Sequence, residues 1–407
     1  MIDLFRLKTL VKDIYPEIVD IRRYLHKFPE VSSQEYETSR FLKNYARKLG
    51  LKVEPVPKTE HSSGTGFIAI LDTQKPGKTI GLRTDIDALP IAENPENLKK
   101  EKYVVSEHQG VMHACGHDGH MAILLGTMKI LVKLKDKLTG KVLFIFEEAE
   151  ETGAGIHPMI EMLKTKNVEA IYGNHLVSFL KTGEIAVSPG AVTSSTARVK
   201  FKVIGKGGHA SRPDLAINPI FAASLILNNL ASAWNNQLNI EKTITLGITQ
   251  FHAGNARNVI PEEAYIGGTL RYFDEQIGKD ATELIRHVAT YVAKANQCKV
   301  EFSRDFGPST PSVVNDEKLS KIVQSLVKAL YPNSLKHNVK WSASETFSRY
   351  RQLCPIVYTF IGTKNREIGS GAEHHNSRFD IDEESMQYAV GTMTGFALKM
   401  LMEYEHH

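Results

Sequence analysis

Met112-His113-Ala114-Cys115-Gly116-His117-Asp118-Gly119-His120 runs straight into an apolar stretch, Met121-Ala122-Ile123-Leu124-Leu125 and on to Ile130-Leu131-Val132. Eight consecutive positions from His113 carry three His, one Cys and one Asp, each a metal ligand when deprotonated. Cys115 and His117 stand two apart, so in an extended or loop backbone both point to one side and reach one ion or an adjacent pair. The apolar stretch is long enough for a buried helix, which puts the cluster on a loop entering a helix. A lone thiol among capping or surface histidines is the plainer alternative, and the density of donors speaks against it.

Around this stretch the chain alternates helices and short apolar strands, an α/β pattern. Leu10 to Gly50 reads as two helices, with Ile14, Ile18, Ile21 and Leu25 at helical spacing and His26 near the first one's end as a structural histidine. Strand patterns follow at Gly66–Leu71 and Thr79–Arg83, the latter continuing through Asp85 and Asp87 to Pro90. Two more stand at Lys141–Phe146, ending in Glu147-Glu148-Ala149-Glu150-Glu151, and at Ala170–Asn174, ending on His175. In an open α/β sheet, ligands gather beyond the carboxyl ends of the strands, and three apolar strands here end in Asp85/Asp87, Glu150/Glu151 and His175. For Asp85 and Asp87 three readings stand open: loop solubilisers, ligands, or acceptors that hold a ligating imidazole in one tautomer.

At 407 residues the chain is long enough for two domains. From about Val192 the texture changes to half-exposed strands in the order β-α-β-β-α-β, which places a separate α+β domain at 190–302, inserted between 1–189 and 303–407. The returning segment holds a helix at Leu319–Leu330, a strand at Pro355–Ile361, the run Glu373-His374-His375-Asn376 and a closing helix from about Glu383 to Met402. With 42% hydrophobic and 24% charged residues and a formal charge of +4, the composition is that of an ordinary globular protein. No basic block is interleaved with aromatics, so nucleic acid is not an expected partner. No apolar run approaches membrane-spanning length, and Met1 to Lys8 lacks a signal-peptide pattern. Three cysteines, Cys115, Cys298 and Cys354, do not make a disulfide framework, and a cytoplasmic location is expected. The terminal Glu405-His406-His407 is either native or the stub of a purification tag.

Collected, the candidate donors are Cys115, His117, Glu150, Glu151, His175 and one of His374 or His375. That exceeds the four ligands of a closed structural zinc site. The surplus suggests two ions with a shared water and one group left to move protons. Adjacent residues do not share a direction easily, so of Glu150 and Glu151 one is the natural ligand and the other the natural base. The reaction class that fits is metal-assisted hydrolysis.

The sequence resembles the dinuclear-metal amidohydrolases and carboxypeptidases of the aminoacylase, hippurate hydrolase and auxin-conjugate hydrolase type. The carrying residues are Gly81–Ile91, Met112–His120, Ala149-Glu150-Glu151, Gly173-Asn174-His175, Gly205–Ala210, Asn258–Pro261, Gly268–Arg271 and His375-Asn376. The resemblance implies a zinc-peptidase-like catalytic domain, with a mixed sheet flanked by helices, and an inserted ferredoxin-like lid or dimerisation domain. It implies Cys115, His117, Glu151, His175 and His375 as ligands of two divalent ions, zinc first and manganese or cobalt as alternatives, and Glu150 as the base that activates a metal-bridged water. It further implies Asp87 as an orienting carboxylate, His209 as a group reaching the developing oxyanion, and Asn258 and Arg271 as holders of the substrate carboxylate. The expected substrates are small N-acyl amino acids or related peptide-like conjugates, and the expected assembly is a homodimer or higher homo-oligomer. A dipeptidase or aminopeptidase acting on free peptides, and a catalytically silent metal-stabilised binding protein, are the rival readings. Where that family has Gln-Pro, this chain has Glu147-Glu148; the expectation is two extra negative charges beside the site that bias substrate charge. It also has Glu345-Thr346 in place of Glu-Asp and Val177-Ser178 in place of a proline.

Overall fold

Four apolar runs form the middle of a mixed sheet. In a computed structural model that describes residues 4–60 and 62–402, the strands Lys141–Glu147, Thr79–Asp85, Ala170–Lys181 and Ile356–Lys364 lie side by side and parallel. Phe67–Asp72 and Lys52–Pro55 extend the sheet antiparallel on one flank. The short strands Ile185–Ala186 and Leu335–Lys336 extend it on the other. Parallel strands buried on both faces need near-continuous apolar sequence, and Lys141–Glu147 is buried from Val142 to its last residue. Glu405-His406-His407 lies outside the described residues.

Helices cover this sheet. His117–Lys133 packs between Leu4–Lys27 and Ser385–Leu401 and is buried on nearly every face, as an apolar-all-round helix must be. It begins at His117, four residues before the apolar run at Met121, because Gly116 adopts a left-handed φ of 86° at its N-cap. Only glycine takes that conformation without strain, so the turn delivers His117 into the first helical turn and leaves Cys115 just outside. Asp118 beside it is held by Arg22 Nε (2.7 Å) and His26 Nδ1 (2.8 Å), and His26 Nε2 meets Glu93 at 2.9 Å. The two bonds to Asp118 tie Leu4–Lys27 to the start of His117–Lys133.

The chain divides into two compact units: the larger runs to Gly190, takes back Val314–Val339 and includes the chain from Arg349; the smaller is Ala191–Val313 with Lys340–Ser348. In the smaller unit Ser195–Ile204, Ile244–Ala253, Glu263–Tyr272 and Lys299–Phe302 form an antiparallel sheet. The helices Pro219–Gln237 and Glu275–Ala295 pack on it around Phe201, Ile226, Leu270 and Ile285. Within it Ile244–Ala253 is an edge strand. No described helix is long and apolar enough to cross a membrane.

Candidate metal centre

The parallel strands point their carboxyl ends to one edge, and the donor residues collect there. Thr79–Asp85 pairs with Ala170–Lys181 only as far as Gly173. The latter does not end on His175, as the apolar pattern suggested, but continues to Lys181. Beyond Gly173 its flank is therefore open to side chains. Cys115, His117 and His175 offer ligand atoms within 4.8 Å of one another; so do Cys115, Glu151 and His375, and His117, Glu150 and Glu151. A fourth set, Asp85, His117 and His120, meets the same limit, but both His120 nitrogens are already bonded, to Asp85 and to the Leu176 amide. The other three sets overlap through Cys115, His117 and Glu151, the arrangement expected of donors that serve two neighbouring ions.

Two of the three imidazoles are oriented by their other nitrogen. His117 Nδ1 donates to the Asp87 carbonyl at 2.9 Å, with the Asp87 carboxylate 3.3 Å away. His175 Nδ1 donates to the Leu176 carbonyl at 2.8 Å, leaving Nε2 3.5 Å from Cys115 Sγ. His375 Nε2 stands 3.3 Å from Glu151 Oε1. His374, the alternative, has Nε2 on the Leu176 carbonyl at 3.0 Å and Nδ1 near Ser178 Oγ at 3.4 Å. The structure thus brings His375, and not His374, together with Cys115 and Glu151. Asp87 Oδ2 accepts from Ser32 Oγ (2.6 Å) and from the Glu151 amide (3.0 Å), which pins the acidic turn against the His117 side.

Burial without a partner tests whether ions fit. His117 Nε2 and Glu151 Oε1 are both buried with no hydrogen bond, 3.8 Å apart. A desolvated carboxylate oxygen is costly unless a charge or donor meets it, and a cation satisfies oxygen and nitrogen together. Burial, then the Glu151 charge, pushes the Cys115 thiol well above its ordinary pKa; a bound cation reverses that and favours the thiolate. Burial, then His120, holds His175 well below the ordinary value, in the neutral form a ligand requires. The donors fit a pair of divalent ions.

The sequence pattern of peptidase family M20/M25/M40 matches residues 81–399. The chain belongs to that family. Thermostable carboxypeptidase 1 of Saccharolobus solfataricus is 35% identical over 386 residues, covering 94% of this chain and 95% of its own. N-acetylcysteine deacetylase of Bacillus subtilis is 33% identical over 378 residues, covering 93% and 95%. The crystal structure of the Bacillus subtilis YXEP protein, described as a dinuclear metal binding peptidase of the M20 family, matches with TM-score 0.81 and 31% identity over 95% of this chain and 98% of its own. M20 membership makes this chain a metal-dependent hydrolase of amide bonds.

Against the M20 resemblance, two acids behave otherwise than expected. Glu147 is fully buried and accepts from Arg83 Nε at 2.8 Å and Tyr350 Oη at 2.7 Å, while Arg83 Nη1 also reaches Asp85 at 2.6 Å. Glu148 accepts from Ser62 Oγ, from Ser63 Oγ (2.6 Å), from the Thr65 amide (2.6 Å) and from the Gly66 amide (3.0 Å). Both are neutralised or fully hydrogen-bonded inside the protein. They are not spare charges turned toward a substrate, and the expected bias on substrate charge has no carrier. Gly155 closes this turn against the Glu148 carbonyl, where an added Cβ would lie 1.9 Å from the oxygen.

From the sequence, His120 counts in the donor-rich stretch but has no role, and Asp85 stays open. His120 Nδ1 donates to Asp85 at 2.7 Å, and its Nε2 accepts from the Leu176 amide at 2.9 Å. The signal was the i,i+3 spacing of His117 and His120, which share a helix face once the helix is started at His117. In the smaller unit, exposed His209 accepts at Nδ1 from the Ser211 amide at 3.1 Å, which places its proton on Nε2. The Asn258 carbonyl takes the Ala210 amide at 3.1 Å. Arg271 is half-buried, with Nη1 3.2 Å from Ser344 Oγ.

Proposed function

We propose that this chain hydrolyses N-acyl amino acids to a carboxylic acid and a free amino acid, using two divalent ions held by Cys115, His117, Glu151, His175 and His375. The observation that carries this reading is the overlap of the donor sets around two buried atoms that make no hydrogen bond, His117 Nε2 and Glu151 Oε1. The relatives' names support the substrate class: an N-acetylcysteine deacetylase and a carboxypeptidase both cut an amide beside an amino acid that keeps its carboxylate. Zinc is the proposed metal, since a thiolate ligand favours it; manganese or cobalt would also suit the carboxylate and imidazole donors.

When bound, the ions polarise the scissile carbonyl and bring a water's pKa near neutral. Glu150, in the donor set with His117 and Glu151, takes that water's proton and passes it to the leaving nitrogen. Asp87, through its carbonyl and carboxylate, fixes the His117 tautomer. His209, with its proton on Nε2, donates to the developing oxyanion. Asn258 and the planar fork of Arg271 hold the substrate carboxylate. The inserted unit, proposed as lid and dimerisation domain, supports a homodimer through the open edge Ile244–Ala253 and the exposed Phe221, Leu225 and Phe251. A cytoplasmic location is supported by three unpaired cysteines.

The test is metal analysis of the native protein, followed by a panel of N-acyl amino acids and dipeptides with and without chelator. Two ions per subunit and chelator-sensitive cleavage of the N-acyl substrates are expected. Chelator-resistant turnover, or cleavage of dipeptides alone, would sink the proposal.

A further inference from the structure

The proposed ligands His175 and His375 lie two hundred residues apart in the chain, one on a strand and one on a loop, yet a metal site tolerates little error in their relative position. His375 adopts a left-handed φ of 60°, an unfavourable conformation for a residue with a Cβ. The surrounding contacts must therefore hold it there. Its amide donates to the Ala114 carbonyl at 2.9 Å, next to Cys115. Its neighbour His374 supplies the second anchor.

That anchor is the main chain of Leu176. In a strand, the amide and carbonyl of one residue point to the same side, and at Leu176 that side has lost its ladder partner, since Thr79–Asp85 pairs no further than Gly173. The freed groups are taken by imidazoles. The Leu176 carbonyl accepts from His175 Nδ1 at 2.8 Å and from His374 Nε2 at 3.0 Å, which uses both lone pairs of that oxygen. The Leu176 amide donates to His120 Nε2 at 2.9 Å, and His120 Nδ1 in turn donates to Asp85 at 2.7 Å. Two acceptor bonds and one donor bond on a single residue therefore link a proposed ligand, the residue preceding a second one, and the helix that carries a third, His117.

We propose that His374 and His120 are positioning residues for the metal centre, acting through the main chain of Leu176 to hold His175 and His375 at a fixed separation. Neither is assigned as a ligand: both His120 nitrogens are bonded, to Asp85 and to the Leu176 amide, and His374 Nε2 is on the Leu176 carbonyl. His374 sets the loop that presents His375 and shares an acceptor with His175; His120 keeps the Leu176 amide from turning away. This inference rests on the two-ion reading above and adds the groups that pre-organise it.

The experiment titrates metal-free wild type, His374→Met and His374→Gln with cobalt(II), following the visible thiolate and ligand-field bands and measuring affinities by chelator competition. Thermal unfolding of each metal-free protein shows that the fold is intact; should the Met variant not fold, His374→Asn, polar but too short to reach the carbonyl, takes its place. Loss of the donor should weaken binding by about 10–100-fold, as removal of partners behind a ligand does, and shift the cobalt spectrum. His374→Gln, which still offers an N–H, should stay within about threefold of wild type. Wild-type affinity and an unchanged spectrum in His374→Met overturn the inference while leaving the two-ion reading in place. A wild type that binds fewer than two cobalt ions overturns both.

Discussion

Two pairs of glutamates stand three residues apart on one turn, and their environments are opposite. Glu147 and Glu148 are buried and saturated, one by Arg83 and Tyr350, the other by hydroxyls and amides from Ser62 to Gly66. Glu151 carries a buried oxygen with no hydrogen bond, 3.3 Å from one imidazole and 3.8 Å from another. The same residue type in the same segment is thus structural in one pair and, on the proposed reading, chemical in the next. A carboxylate whose lone pairs are all taken by the protein holds the turn; one left short of partners in a buried place asks for a cation. The left-handed Ala149, φ 52°, separates the two pairs. Its amide is held by the buried Glu35 at 2.8 Å, whose own pKa burial and the Asp87 charge raise to about 7.

The contrast can be broken from either side. Glu150→Gln should lower kcat by about 10²–10⁴-fold, the size of a general-base contribution, while metal analysis still finds two ions; loss of metal instead would make Glu150 a ligand and erase the division of labour. On the structural side, Glu147→Gln leaves Arg83 short of a buried partner and should cost about 3–5 kcal/mol in urea unfolding of the metal-free protein. Glu148→Gln should cost less, about 1–3 kcal/mol, for donors left poorly matched. Its pH signature follows from direction. Burial alone would raise the Glu148 pKa, but the hydroxyls of Ser62, Ser63 and Thr65 and the Gly66 amide outweigh it and hold the carboxyl low. The unfolded chain then binds the proton more readily, so this contribution is full above the ordinary carboxylate pKa and is lost as pH falls through the folded value. The acid limb of a stability profile should be flatter in Glu148→Gln; an unchanged limb would remove Glu148 from the account. The smallest effect sharpens the comparison: the ratio of turnover on acidic and neutral N-acyl amino acids should stay within about twofold in Glu148→Gln, the ±0.5 kcal/mol of a change that meets no substrate. A larger swing would restore the acid to the substrate's surroundings.

Most of the donor set was legible before any coordinates. Cys115 and His117 announce themselves by density, Glu150/Glu151 and His175 by following apolar strands, and the α/β order by the alternation of periods. The motifs resembling the M20 pattern belong to the same linear record. What each acid does was not in that record. Glu147 and Glu148 read as added charge because their partners Arg83, Ser62 and Tyr350 lie 64, 86 and 203 residues away. The helix start at His117 depended on one glycine φ, and with it the visibility of His120. The choice of His375 over His374 rested, in the sequence, on the resemblance alone; the fold supplies a separate geometric reason, the Leu176 carbonyl that occupies His374.

By itself, then, the sequence determined which residues are chemically able to bind metal and move protons, because ligand chemistry belongs to the side chain. Only the tertiary structure decided which of those are already satisfied by the protein, because hydrogen bonds between distant segments consume lone pairs, and a group's reactivity is what remains after those bonds are made.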